Sequence, residues 1–167
     1  MGDSKLKDLW KINGYEISDL LKKKEVSATE ICNNLIEHIE KINPKINAIV
    51  VETFEDAKKQ AKILDKKIME GENIGLLAGV PTTIKVNTDQ IGYPSTNGLR
   101  IQKDLIAKKD SPVVKNLRNS DALMLGKTNT PAFSIHWFTR NSLHGHTLNP
   151  HNKNITPGGS SGGAAAA

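Results

Sequence analysis

Apolar residues in the first part of the chain recur with the period of a helix. Ile31, Leu35, Ile39 and Ile42 fall three or four residues apart, which places them on one helical face. Ser27-Ala28-Thr29-Glu30 precedes that stripe as a capping box, in which Ser27 accepts from the backbone N–H of Glu30 and Glu30 reaches back. Asn43-Pro44 is expected to end this helix, because proline disfavours the α conformation in the residue before it. A second stripe of Ala57, Ala61, Leu64 and Ile68 predicts another helix, with Gly71 as its C-cap. Between the two, Ile46–Val51 (INAIVV) is short and β-branched, and reads as a strand or a linking segment.

From Gly75 onward Gly, Pro, Thr and Asn become frequent and the helical period weakens. Val80–Asn87 (VPTTIKVN) reads as a strand. Alternation puts Ile84 and Val86 on one face and Thr83, Lys85 and Asn87 on the other. The stretch DSPVVKNLRNS predicts a helix from Pro112 to Arg118, with proline near its first turn. Asp121–Asn129 (DALMLGKTN) reads as a short buried strand ending at Gly126. Strand, helix and strand in that order predict a βαβ unit and an α/β fold. The expected organisation is a helical N-terminal leader over residues 1–71 and an α/β segment over residues 72–167.

Composition narrows the class. Hydrophobic residues make up 37% of the 167 and aromatics only 4%, so the core is expected to be mainly aliphatic. No apolar run approaches the roughly 20 residues of a membrane helix, and MGDSKLKDLW lacks the apolar region of a secretory signal. Cys32 is the sole cysteine, which leaves no internal disulfide. A cytoplasmic protein is the expectation. The net charge of +5 lies entirely in the second part: residues 1–71 hold 13 lysines and 13 acids, whereas residues 72–167 hold 10 basic and 5 acidic residues. The three arginines, Arg100, Arg118 and Arg140, are far apart and no basic run is interleaved with aromatics. A solvated basic surface is therefore expected rather than a nucleic-acid groove.

Several residues could carry chemistry. Lys85 reads either as a lysine on a solvated strand face or as a buried amine, whose burial would lower its pKa and free it to act as a base. Gly158-Gly159-Ser160-Ser161-Gly162-Gly163, followed by four alanines, has the composition of a flexible linker. It is a poor phosphate loop, because no Gly-Lys-Ser/Thr follows. As a catalytic loop it would use glycine's conformational freedom to bring a substrate close to two hydroxyls. His144, His146 and His151 imitate metal-ligand spacing, but no acidic residue follows Asp121, and a loop role is the simpler reading. Cys32, beside the first apolar stripe, reads as a small buried residue rather than a nucleophile.

Three stretches taken in order, LAGVPTTIKVN (Leu77–Asn87), LMLGKTNTPAF (Leu123–Phe133) and NPHNKNITPGGSSGGAAAA (Asn149–Ala167), closely resemble the amidase signature family. The segment VSATEICNNLIEHIEKINPKINAIV is also similar to that family's leader. The resemblance implies the N-terminal part of the amidase signature fold, a mixed β-sheet flanked by α-helices. It implies C–N bond hydrolysis of a carboxamide by a Ser–cis-Ser–Lys triad. Lys85 matches the catalytic lysine, Ser160 the serine with the cis peptide bond, and Ser161 the supporting serine beside it. The family's nucleophilic serine lies further along, in a second glycine-rich loop, and the chain closes at Ala167 before any such loop. The 167-residue polypeptide is accordingly expected to be inactive alone.

Thr130-Pro131-Ala132-Phe133 looks more like the general bacterial amidases than the amidotransferase member of the family that acts with tRNA, which usually carries a Met-Asp-Glu-Phe-type stretch there. The implied substrate is a small-molecule amide. The implied partner is a complementing C-terminal chain or a second copy in a homodimer, with no nucleic acid and no membrane. A fragment like the tRNA-dependent amidotransferase and a non-catalytic remnant that binds a partner stay open as alternatives. No residue pattern indicates a metal, a nucleotide or another cofactor.

Overall fold

A computed structural model describes residues 6–167; Met1–Lys5, where the N-terminal stretch begins, lie outside them. Five α-helices are found among the described residues: α1 (Gly14–Lys22), α2 (Ala28–Ile46), α3 (Phe54–Glu70), α4 (Pro112–Asn119) and α5 (Gly162–Ala166). The strands are β1 (Ile49–Glu52), β2 (Pro81–Lys85), β3 (Leu123–Thr128), β4 (Arg140–Asn141) and β5 (Gly145–His146). No helix among these residues is long and apolar enough to cross a membrane.

The chain forms two compact units. The first contains, of the described residues, 6–41, Thr53–Thr82 and Asn116–Leu125. Its core is built from Leu21, Ile31, Ala57, Ala61, Leu64 and Leu123, each at most 2% exposed. The capping box at the start of α2 forms as expected, with Ser27 N–H donating to Glu30 at 2.8 Å and Glu30 N–H donating to Ser27 Oγ at 3.1 Å. Asp65 of α3 adds a second cap: its carboxylate accepts from the backbone of Ala28 (2.6 Å) and Thr29 (3.0 Å) and from the Thr29 hydroxyl (2.5 Å). Helix α3 closes on Gly71 in the left-handed conformation.

The second unit contains Ile42–Glu52, Thr83–Lys115 and Gly126–Ala167. Here α2 departs from expectation, because it passes Pro44 and ends at Ile46. Proline removes one N–H from the last turn, but the neighbouring groups are satisfied. The Asn43 carbonyl accepts from Asn47 N–H at 2.7 Å. The Asn43 side chain accepts from Ala48 and Ile49 N–H and donates to the Ile49 carbonyl. Asn47 then turns the chain with φ 51°, a left-handed conformation that Asn tolerates.

The three-stranded sheet has the order β1-β3-β2, with β1 antiparallel to β3. Leu123 N–H bonds Val80 O, and Val86 N–H bonds Thr128 O. Residue numbers rise together along both strands, so β2 and β3 run parallel, as the βαβ reading requires. Strand β3 extends two residues beyond the expected end at Gly126. Gly126 is a packing position rather than a stop: a Cβ there would lie 2.5 Å from the Ile49 side chain and 3.0 Å from the Val51 carbonyl.

Candidate active site

Strand β2 ends at Lys85. Ile84 and Val86 are buried (4% and 0% exposed), while Lys85 is half-buried and Asn87 exposed. The alternation thus points the lysine away from the apolar side. Burial lowers the Lys85 pKa from its ordinary value, which favours the neutral amine.

The glycine-serine segment is an ordered turn leading into α5, not a linker. The peptide bond between Gly159 and Ser160 is cis. Thr139, fully buried, holds the turn: its hydroxyl donates to Gly158 O at 2.9 Å and accepts from Gly162 N–H at 3.0 Å. Gly163 lies so close to the next segment that a Cβ would stand 2.5 Å from the Asn129 backbone, which cannot yield as a side chain could. This packing brings both serines to Lys85, across 75 and 76 residues of sequence. Lys85 Nζ is 2.8 Å from Ser160 Oγ and 3.2 Å from Ser161 Oγ. An amine of lowered pKa on two hydroxyls can exchange a proton with either of them.

Several polar residues around this pair escaped sequence reasoning. Lys127 of β3 is fully buried, and its Nζ donates to the Thr88 carbonyl at 3.0 Å. Thr88 N–H in turn bonds Lys85 O at 2.9 Å, so Lys127 braces the turn that ends the lysine strand. Burial lowers the Lys127 pKa to about 8, against a smaller opposing effect of Asp89. Its position inside the apolar run LMLGKT was the available signal. Thr130, also fully buried, donates to the Ser160 carbonyl at 3.0 Å. Asn129 ties its neighbours together, donating to Gly145 O and Thr147 Oγ1 and accepting from Thr130 N–H and Asn141.

The histidines do not converge. His144 is half-buried with Nε2 2.8 Å from Thr96 Oγ1, while His146 and His151 are exposed. Among the described residues, no group of three or more His, Cys, Asp or Glu side chains could hold a metal ion. Cys32 is fully buried and its thiol pKa is pushed up to about 11, the opposite of an activated nucleophile.

Comparison with known proteins gives a consistent result. The family model described as Amidase matches residues 30–167. Indoleacetamide hydrolase of Bradyrhizobium diazoefficiens is 43% identical over 159 residues, covering 95% of this chain and 30% of that protein. The glutamyl-tRNA(Gln) amidotransferase polypeptide of Nostoc punctiforme is 43% identical over 152 residues, covering 91% of this chain and 31% of its own length. The crystal structure of a bacterial aryl acylamidase of the amidase signature enzymes superposes with a TM-score of 0.90 at 38% identity, over 93% of this chain and 32% of that one. That of 6-aminohexanoate cyclic dimer hydrolase gives 0.85 at 31% identity, over 95% and 32%. The chain spans about a third of the length of the relatives it matches.

Proposed function

The chain belongs to the amidase family, and from that premise we propose that it supplies the proton-transfer half of a carboxamide hydrolase. The observation that carries this reading is the 2.8 Å contact between Lys85 Nζ and Ser160 Oγ, made by a half-buried amine whose pKa is lowered by burial. Neutral Lys85 accepts the Ser160 proton, and Ser160 takes the proton of a nucleophilic serine as that oxygen attacks the amide carbonyl. The proton then returns through Ser160 to the leaving nitrogen, the C–N bond breaks, and the acyl group stays on the nucleophile until water releases it as the acid. Ser161, 3.2 Å from Lys85 Nζ, supports the pair.

The nucleophile comes from polypeptide corresponding to the part of the relatives that this chain does not span. Phe133, Ile135, Trp137 and Phe138 are exposed, Trp137 by 81%. They offer an apolar face for that polypeptide to cover. The substrate is a small aryl or alkyl carboxamide, in keeping with the indoleacetamide hydrolase and aryl acylamidase likenesses. A second reading, part of a tRNA-dependent amidotransferase, draws on the equal 43% identity to the Nostoc protein.

The test is hydrolysis of indole-3-acetamide and of a simple anilide, by the chain alone and by the chain co-expressed with a polypeptide supplying the following segment. Turnover by the pair, reduced at least about 100-fold by Lys85→Met or Ser160→Ala, is expected. Turnover that survives both substitutions refutes the proton-transfer roles. Release of ammonia from glutamine without hydrolysis of either amide selects the second reading.

A further inference from the structure

Two residues near the serine turn, Phe133 (φ 56°) and Ser134 (φ 57°), occupy a left-handed conformation that their side chains avoid, and Asn97 (φ 49°) beside them takes the same conformation, which Asn tolerates. Such conformations persist where surrounding contacts over-determine them, and they cluster at functional sites. Here the contacts are explicit. Phe133 N–H bonds Asn97 O at 3.0 Å, and Ser134 N–H bonds Pro131 O at 2.9 Å. The Ser134 hydroxyl lies 2.9 Å from Asn97 Oδ1, 2.9 Å from Thr130 Oγ1, and accepts from Asn87 Nδ2 at 3.0 Å.

These bonds connect both members of the lysine–serine pair by a second route. Asn87 lies two residues beyond Lys85 in the chain, and Thr130 donates to the Ser160 carbonyl. The path Asn87–Ser134–Thr130–Ser160 closes into a ring through the Lys85–Ser160 contact. Thr130 and Ser134 have two hydroxyl protons between them. Three contacts compete for those protons: the Ser160 carbonyl, Asn97 Oδ1 and the link between the two hydroxyls. Removing the Thr130 hydroxyl deprives the Ser160 carbonyl of its donor, and removing the Ser134 hydroxyl takes away the group that orients Thr130 and joins it to Asn87 and Asn97.

We propose that Thr130 and Ser134 are positioning residues that hold the Ser160 turn against Lys85, through the side chains of Asn87 and Asn97. This inference rests on the Lys85–Ser160 reading given above. Neither hydroxyl takes part in proton transfer. Both fix the geometry in which it occurs.

The test is lysine 13Cε NMR of the 167-residue chain, following the Lys85 titration in the unmodified protein and in Thr130→Val, Thr130→Ser, Ser134→Ala and Ser160→Ala. The Lys85 signal is assigned by its loss in Lys85→Arg. Thr130→Val and Ser134→Ala should release the turn, solvate the amine and raise its midpoint toward the ordinary lysine value. Thr130→Ser, which keeps the hydroxyl, should leave the midpoint unchanged, a rescue that a purely space-filling role would not show. If Thr130→Val does not fold, Ser134→Ala carries the same prediction. If Ser160→Ala moves the Lys85 titration while the folded Thr130 and Ser134 variants do not, the positioning role is overturned and the pair stands. If none of the three moves it, the lysine–serine reading falls and the positioning role with it.

Discussion

Lys127 gives the most demanding prediction, because it sets charge against burial within one side chain. It is fully buried, and burial lowers its pKa from 10.5 to about 8. In the unfolded chain it returns to the ordinary value. Between about pH 8 and pH 10.5 the unfolded state therefore holds a proton that the native state has released. Stability must rise with pH across that window, since the unfolded state binds more protons there. At about 1.4 kcal/mol per pH unit, the rise attributable to this residue is on the order of 3 kcal/mol. Below about pH 8 both states are protonated and the cost of the buried ammonium is carried in full. Lys127→Met keeps the length of the side chain and removes the charge, together with the donor to the Thr88 carbonyl. Urea unfolding of both proteins at intervals from about pH 7 to pH 10.5 isolates the effect as the difference between the curves, in which the shared titrations of surface lysines cancel. The unmodified protein should gain about 3 kcal/mol relative to Lys127→Met across the window. Parallel curves would refute the reasoning, because the native and unfolded lysine would then titrate alike.

The first unit offers two further checks. Asp65→Ala removes three hydrogen bonds at the start of α2, made to backbone and side chain of a helix 36 and 37 residues away. It should cost about 2 kcal/mol in urea unfolding, and a loss below about half of that would show that Ser27 caps the helix unaided. Cys32, with its thiol pushed up to about 11 and its side chain fully buried, should resist iodoacetamide near its ordinary titration range in the folded chain and react on unfolding. Equal labelling rates in native and denatured protein, read by intact mass, would contradict its burial.

Local patterns were legible in the sequence. The stripe Ala57, Ala61, Leu64 and Ile68 lies on the inner face of α3, and the Ser27–Glu30 box forms as written. Ile84 and Val86 alternate into the apolar side, leaving Lys85 on the other face. Each of these patterns is carried by residues within a few positions of one another, where the backbone period or a single turn fixes the geometry. The family was legible for a related reason: its motifs are contiguous stretches.

Packing between distant segments settled the rest. Pro44 stays inside α2 because the Asn43 side chain satisfies the turn that follows, and Gly126 stays inside β3 because Ile49 leaves no space for a Cβ. Asp65 caps a helix from another helix. The composition of the Gly-Ser segment suits a linker, and only its packing on Asn129 and Thr139 makes it an ordered turn. The 2.8 Å contact between Lys85 and Ser160, and the Thr130–Ser134 path beside it, join residues whose distance along the chain carries no period. A periodic pattern specifies which face a side chain takes; which distant group meets it there depends on how the elements close on one another.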